Sequence, residues 1–481
     1  MSADSSSSSS DNPLLPPFPP AIDALRASQK SSFAYPTVKD RLPIILTKCV
    51  DAVSKQLHSE SSSSSPTSSS SLKHTQGKAV ISDISKLIYE LQRDRPLTPF
   101  TDSEPDVDLW NACLTELTQQ EGRQPTWFTS PWLFVECAMY RKLREIFGTR
   151  SEWKEFDVFM AGQKEPVFWA SVKGMTELAG YLEEVRERLG KGKGNGIGDG
   201  DVRAVLEEFI QFSLWGNQTD LSLLQNVAHS SMHTLQTSSA TGLDAMRAHI
   251  IVDHTSAVID HLLTPPSSPS HRRVDIVLDN AGFELFADLC LADLLLSTSL
   301  AHQITFHSKH IPWFVSDTTP ADLTYLLHHL SPGSSPSGSY TPTREMETTV
   351  ERWRGYIRDG RWVVRDDGFW TTPLPIWALP TTPSATEMYT DMCTSHLWIL
   401  KGDLNYRKAV YDLTWPTTTA LGVALGGLVE GMGKQTPPVV LLRTCKSDPA
   451  VGLAEGQEGQ LDNKDGEWRV NGKWGMIQFH R

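Results

Sequence analysis

The sequence predicts an α/β fold, a Rossmann-like α/β/α sandwich with a helical N-terminal region. Two observations carry this reading and a third narrows it. From about residue 20 to 260 apolar residues recur mostly at helical spacing. From 274 onward short apolar runs of strand length alternate with helical stretches. Alternating strand and helix implies a mostly parallel sheet with helices on both faces. No GxGxxG turn follows the first of those runs, so a dinucleotide is not indicated.

In chain order, residues 1–19 form a Ser/Pro-rich tail containing the run Ser5–Ser10, too polar to bury and expected to be disordered. A helical region over 20–260 follows, interrupted by a disordered insertion at 59–73 that contains the serine-rich Ser61–Ser71. Within that region ISDISKLIYELQRD (81–94) places Ile81, Ile84, Leu87, Ile88 and Leu91 on one stripe. WLFVECAMYRKLREIFG (132–148) and VRAVLEEFIQFSLWGN (202–217) repeat the pattern, and the glycine-rich 190–202 reads as a flexible linker. The α/β core is expected over 274–481. Its strands are VDIVL (274–278), QITFH (303–307), a short HIPWFV, RWVVR (361–365), HLWILK (396–401) and PVVLL (438–442). TPPSSPSHRR (264–273) and the insertion 331–342 read as surface loops.

The chain has 481 residues, a formal charge of −13 and no clustered Lys/Arg run. That argues against a nucleic-acid or anionic-membrane surface. Six scattered cysteines without a CxxC pair fit reduced thiols, and the histidines show no HxH or HExxH spacing, so no zinc site is expected. No secretory signal and no apolar run near the ~20 residues of a membrane helix is found. The expectation is a soluble protein of the cytoplasm or nucleus, with no membrane or nucleic-acid partner.

Ligands of such sheets gather beyond the carboxyl ends of the strands. There VDIVL is followed by Asp279-Asn280, HIPWFV by Ser316-Asp317, HLWILK by Gly402-Asp403-Leu404-Asn405-Tyr406-Arg407, and PVVLL by Arg443-Thr444-Cys445-Lys446. A carboxylate beside an amide supplies oxygen ligands for a hard divalent cation. Asn280 alone could equally be a helix N-cap, with Glu284 a first-turn partner of the helix dipole. Asp317 lies 38 positions after Asp279 (317 − 279), which suits neighbouring strands, but it too could cap the helix in TPADLTYLLHHL, with Asp322 in its first turn. Lys446 and Arg443 suit phosphate, and a structural salt bridge is an equal reading for Arg443. Asp403, Asn405 and Arg407 alternate, which sets them on one side of an extended segment facing a polyhydroxylated ligand. The bland reading is a turn around Asp403. Asn217 and Asp220 in LWGNQTDLS are weaker candidates, and Glu136, four after Trp132, is expected to pack against Arg141 or Arg144.

Four motifs in this order, LDNAGFELFADL, WFVSDT, KGDLNYRK and RTCKSD, resemble the metal-dependent damage-control phosphatases of the acidic-residue methyltransferase-like family, in its eukaryotic RTxK sugar-phosphate subgroup. The resemblance spans roughly 20–480, with WGNQTDLS and ECAMYRKL as further segments. It implies a helical region beside an α/β/α core. It implies that Asp279, Asn280 and Asp317 bind a divalent metal, Mn²⁺, Co²⁺ or Ni²⁺, with Mg²⁺ less effective. Asp403 to Arg407 and Lys446 would contact the phosphosugar, and Cys445 at the variable position of RTxK would have no role. The implied activity is hydrolysis of fructose 1-phosphate, fructose 6-phosphate and related metabolites, with Asp279 and Asp317 catalytic. Two alternatives stand beside it. One is an S-adenosylmethionine-dependent protein-glutamate O-methyltransferase, for which no glycine-rich methyltransferase loop is seen. The other is a non-catalytic metabolite-binding or scaffold protein.

Overall fold

The computed structural model describes residues 14–15, 22–61, 68–192, 199–216, 246–264, 272–334, 338, 340–426, 428 and 436–481. Among these residues seven strands form one sheet: β1 (Ile250–Asp253), β2 (Arg273–Val277), β3 (Gln303–His307), β4 (Trp362–Arg365), β5 (Leu397–Lys401), β6 (Val439–Thr444) and β7 (Gly475–His480). Their order across the sheet is β1-β7-β6-β5-β2-β3-β4. Pairing is parallel from β6 through β4, antiparallel between β6 and β7, and parallel again between β7 and β1.

The helices that matter for the site are α1 (Leu42–Ser61), α2 (Ser68–Gln92), α3 (Trp132–Gly148), α4 (Glu165–Gly192), α5 (Asp199–Trp215), α6 (Phe283–Ser297), α7 (Pro320–His329), α8 (Arg344–Arg358) and α9 (Gly402–Val410). Because side chains alternate along a strand, the sheet feeds two cores. Val274, Ile276, Leu397, Ile399, Val440 and Leu442 join the core with α4, α5, α6 and α8. Val277, Trp398, Leu400, Val439 and Leu441 join the core with α1, α2, α3 and α9. Helices on both faces therefore stand as expected, and the helical N-terminal region supplies cover to both.

Helix α6 is apolar nearly all round, the pattern of an enclosed helix, and every residue from Phe283 to Leu295 is buried. Its carboxylates survive burial because each has partners. Asp293 meets Arg186, Arg352, Trp353 and Tyr356.

Several expected boundaries move. Residues 250–253, assigned to the helical region, are strand β1. The core therefore begins earlier than 274, and β7 was not anticipated at all. Ser68–Ser71 open helix α2 rather than forming a disordered insertion, and the linker at 190–202 is helical over 190–192 and 199–202. Residues 62–67, 193–198 and most of 264–273 lie outside the described residues, as do the tail's serine run and parts of 331–342. HIPWFV is not a strand but a turn, treated below.

Candidate active site

Strands β2 and β3 are parallel neighbours, so their carboxyl ends lie side by side. Beyond them the chain stays zipped. Ala281 N donates to Ser316 O at 2.8 Å, Thr318 N donates to Asp279 O at 2.7 Å, and Asn280 bridges Asp317. The loop from β3 reaches this position by a tight turn in which Asp317 N donates to Trp313 O at 3.1 Å. Phe314 and Val315 inside that turn have φ of +43° and +74°, a region disfavoured for bulky and β-branched residues. Phe314 is held there by stacking on Tyr140 at 4.7 Å.

The capping readings of Asn280 and Asp317 both fail. Gly282 occupies the N-cap position of α6, and Thr319 caps α7 in a reciprocal capping box with Asp322. Asp279, Asn280 and Asp317 are nonetheless buried, at 7 %, 8 % and 2 % exposure. Asn280 Nδ2 donates to Asp279 Oδ2 at 2.5 Å and to Glu284 Oε2 at 2.9 Å, while Ser316 Oγ meets Asn280 Oδ1. Lys309 Nζ donates to Leu278 O at 3.0 Å and lies 3.3 Å from Asp317 Oδ2. That last contact is an ion pair without hydrogen-bond alignment, and Asp317 Oδ2 is otherwise unpartnered among the described residues.

Glu284 is paired with Lys401 and Asp317 with Lys309, but Asp279 beside them has no ion-pair partner among the described residues. Burial, then the charges of Glu284 and Asp317, push Asp279 well above the usual carboxylate range against the pull of Lys309 and Lys446. Burial raises Asp317 to about 6 despite Lys309. A hard divalent cation bound by carboxylate and amide oxygens would supply the missing charge, so the donor set fits one. Among the described residues no three His, Cys, Asp or Glu side chains form a ready-made cage; the set here is two carboxylates and an amide.

Glycine is required at the floor of this site. Gly402 has φ +82°, and a Cβ there would lie 1.9 Å from Asp279 Oδ2. It ends β5 and starts α9, so Asp403, Asn405 and Arg407 stand on a helix, not on an extended segment. On a helix, residues two apart do not share a face, so Asn405 does not stand beside Asp403 and Arg407. Asp403 Oδ1 accepts from Arg443 Nε at 2.7 Å, Ser447 Oγ at 3.1 Å and Lys446 N at 3.2 Å. Burial raises its pKa, but Arg443 and Arg407 outweigh burial and hold it below the ordinary value. Asn405 Nδ2 donates to Lys401 O at 2.7 Å and Leu278 O at 3.2 Å, tying the ends of β5 and β2 together.

Arg407 is buried in an ion-pair network, with Nε 2.9 Å from Asp412, NH1 2.6 Å from Glu136 and its guanidinium 4.0 Å from the Trp132 ring centroid. Arg407 is thus engaged by the frame, and Asn405 through its Nδ2, while Asn405 Oδ1 has no hydrogen-bond partner among the described residues. Glu136 pairs with Arg407, not with Arg141 or Arg144, which bind Asp102, Asp106 and Glu104. Arg443 resolves to the structural reading: it bonds Asp403, Ser447 and Pro449 O and stacks on Tyr406 at 4.0 Å. Lys446 differs from all of these. It is half-buried, rests on Gly472, has no ion-pair partner among the described residues, and its charge reaches Asp279. Asn217 and Asp220 lie outside the described residues; Gly216 just before them abuts Glu284.

One neighbour on α9 yields a test. Lys408 is buried, donates to Thr372 O at 2.7 Å and lies 5.1 Å from the Phe369 ring centroid, with no carboxylate partner among the described residues. Burial lowers its pKa to about 7. Between that value and the unfolded value near ~10.4 the unfolded chain binds more protons, so the penalty grows as pH falls through this window. Lys408→Met should stabilise by about 1–3 kcal/mol at pH 7 once the lost hydrogen bond is subtracted. The gain should vanish by about pH 10. Thermal melts of both proteins across that range check it; a pH-independent difference would mean Lys408 stays charged.

Sequence reasoning missed Lys309, Lys401 and Gly402 and assigned Glu284 only to the helix dipole. Lys401 Nζ is buried 2.8 Å from Glu284 Oε1, 2.9 Å from Asp288 and 2.7 Å from Ser213 O. The available signals were a lysine closing an otherwise apolar strand and a glutamate four positions after Asn280.

Comparison with known proteins decides the family. The model of the damage-control phosphatase ARMT1-like domain matches residues 37–461. The chain is 36 % identical over 467 residues to the mouse (Mus musculus) damage-control phosphatase ARMT1, covering 95 % of this chain and 98 % of that one. The chain belongs to the damage-control phosphatase ARMT1-like family. Relatives of the same description from Danio rerio and Homo sapiens share 35 % identity over 475 and 466 residues, covering 97 % and 98 % of their own lengths. The match to the ARMT1-like domain runs through α1 to α9 and β1 to β6, so the helical region is part of the family's domain and not an appendage.

Proposed function

We propose that this protein is a metal-dependent phosphatase that hydrolyses phosphomonoesters of small sugars, such as fructose 1-phosphate and fructose 6-phosphate, in metabolite damage control. The observation that carries the reading is the pairing of opposites at the sheet's carboxyl edge. Buried Asp279, with no ion pair among the described residues, and buried Asp317, met by Lys309 alone, stand beyond adjacent strands. Lys446, free of ion pairs among the described residues, follows β6 at the same edge, where its backbone N–H donates to Asp403 Oδ1 at 3.2 Å. The relatives' name, damage-control phosphatase, supports the same activity.

Asp279, Asn280 and Asp317 are the residues to hold the metal, Mn²⁺, Co²⁺ or Ni²⁺, with Mg²⁺ weaker. When bound, it offsets charge on the phosphoryl oxygens as the ester bond loosens. Lys446 grips a remaining phosphate oxygen. The free N–H groups at the start of α6 face the same anion. Asp403 keeps Oδ2 outside its contacts with Arg443 and Ser447, and accepts from a sugar hydroxyl. Asp317 takes the proton of the attacking water as the P–O bond to the sugar breaks, and the departing sugar oxygen takes up a proton from solvent.

The direct test is phosphate release from fructose 1-phosphate by chelator-treated protein with Mn²⁺, Co²⁺, Ni²⁺ or Mg²⁺ restored one at a time. Turnover that ignores the metal, or none with any of them, would refute the reading. Lys446→Ala is expected to lower kcat/KM about ten- to a hundred-fold through loss of a charge-assisted contact of ~1.5–3 kcal/mol. Lys446→Arg should rescue poorly, because a planar fork differs in reach from an ammonium. Equal kcat/KM in all three proteins would remove Lys446 from the phosphate site.

A further inference from the structure

We infer that Glu284 is a positioning residue that fixes which end of the Asn280 amide faces the cation. This rests on the metal site proposed above. An amide presents a carbonyl oxygen at one end and an NH₂ at the other, and only the oxygen can ligate. A half-turn of the side chain would exchange them. The Asn280 NH₂ is held by two carboxylates, Asp279 Oδ2 at 2.5 Å and Glu284 Oε2 at 2.9 Å, and its oxygen is turned toward the Ser316 hydroxyl. Asp279 cannot keep this duty once its own oxygens are drawn to a metal. Glu284 can, because it has no other task facing the site.

Glu284 is also unable to drift. Its Oε1 is tied to buried Lys401 at 2.8 Å, and Lys401 is tied in turn to Asp288 at 2.9 Å and Ser213 O at 2.7 Å. Its backbone is pressed against the end of α5, where a Cβ on Gly216 would lie 2.7 Å from the Glu284 Cα. A helix-dipole partner would need none of this. The arrangement clamps a carboxylate whose remaining oxygen addresses one N–H of Asn280.

The test reads Mn²⁺ affinity by calorimetric titration of metal-free protein without substrate, alongside the metal-free Tm. Glu284→Gln offers Asn280 a donor as well as an acceptor and removes a charge. Glu284→Asp keeps the charge and withdraws the carboxylate by one methylene. Both should bind Mn²⁺ at least tenfold more weakly than wild type, as loss of a charge-assisted hydrogen bond implies. The double variant Asn280→Asp with Glu284→Gln exchanges acceptor and donor, keeps the total charge, and offers an oxygen in either rotamer. It should recover to within about threefold of wild type, because the two positions are in contact and their substitutions couple instead of adding. It also keeps the question answerable if Glu284→Gln alone does not fold. Glu284→Asp binding within twofold of wild type, or a double variant no tighter than Glu284→Gln, would overturn the inference. A wild-type protein that binds no Mn²⁺ would instead overturn the metal site itself.

Discussion

Asp279→Ala is expected to eliminate metal-dependent hydrolysis of fructose 1-phosphate while leaving the metal-free protein as stable as wild type, or more so. The two halves of that expectation have one cause. Asp279 is a buried carboxylate set beside Glu284 and Asp317, and burial with those like charges raises its pKa well above the ordinary range. Such a group does not stabilise the fold when ionised. Above the unfolded carboxylate pKa near ~3.9, the unfolded chain releases a proton that the folded chain still holds. Stability therefore falls as pH rises through the interval up to the raised folded value, and alanine removes that slope. Loss of the proposed metal ligand, in contrast, should cost several kcal/mol of transition-state stabilisation, roughly 10³-fold or more in rate. Phosphate release with saturating Mn²⁺ and melts of the metal-free protein between pH 4 and 8 give both readouts. Substantial turnover in the variant would take Asp279 out of the site; a large fall in Tm would make it a structural residue.

Gly402→Ala is the second large effect, and it damages the same site from below. A Cβ at this position would lie 1.9 Å from Asp279 Oδ2 and 2.1 Å from its Cγ. Retreat of the carboxylate would break its 2.5 Å bond with Asn280, and the backbone is held by Asp279 O to Thr318 N at 2.7 Å. The positive φ adds backbone strain of about 1–2 kcal/mol for any residue with a Cβ. Displacing a reacting group by about 1 Å is enough for a ~10²-fold loss, so kcat/KM should fall at least that far. Gly456 provides the control. It has φ +74°, and a Cβ there would meet nothing within 4 Å among the described residues, so Gly456→Ala carries the strain without the collision. The expected result is a small loss of Tm in the control with full activity, against a larger loss and near-inactivity for Gly402→Ala. Equal activity in the two would mean the Asp279 carboxylate has room to move.

What could be read from the sequence was whatever depends on neighbours along the chain. That Asp279, Asn280 and Asp317 would lie together was legible because each follows an apolar run, and strand ends in a parallel sheet converge. The contents of α9 were misread because Asp-x-Asn-x-Arg suits a strand and also places Asp403 and Arg407 four apart on a helix. What settles the choice is the +82° backbone of Gly402, which local composition does not announce. HIPWFV has the apolar content of a strand. It turns instead because Phe314 and Val315 accept positive φ, a conformation their types do not advertise. Glu284 and Lys401 are 117 positions apart and Arg407 and Glu136 271 apart, and nothing local distinguishes a buried ion pair from two solvated charges. Strands β1 and β7 were missed for the same reason, since each depends on a partner far away in the chain.

The place of β7 has a consequence for how the molecule is made. It lies between β1 and β6, parallel to the first and antiparallel to the second, and β1 pairs with no other strand among the described residues. During synthesis β1 is the first strand to emerge, and more than two hundred residues separate it from the Gly475–His480 strand that gives it a place. Until that strand emerges β6 offers an open edge of apolar residues, the kind of surface that recruits other chains. Trimming β7 would then leave β1 without a sheet to join.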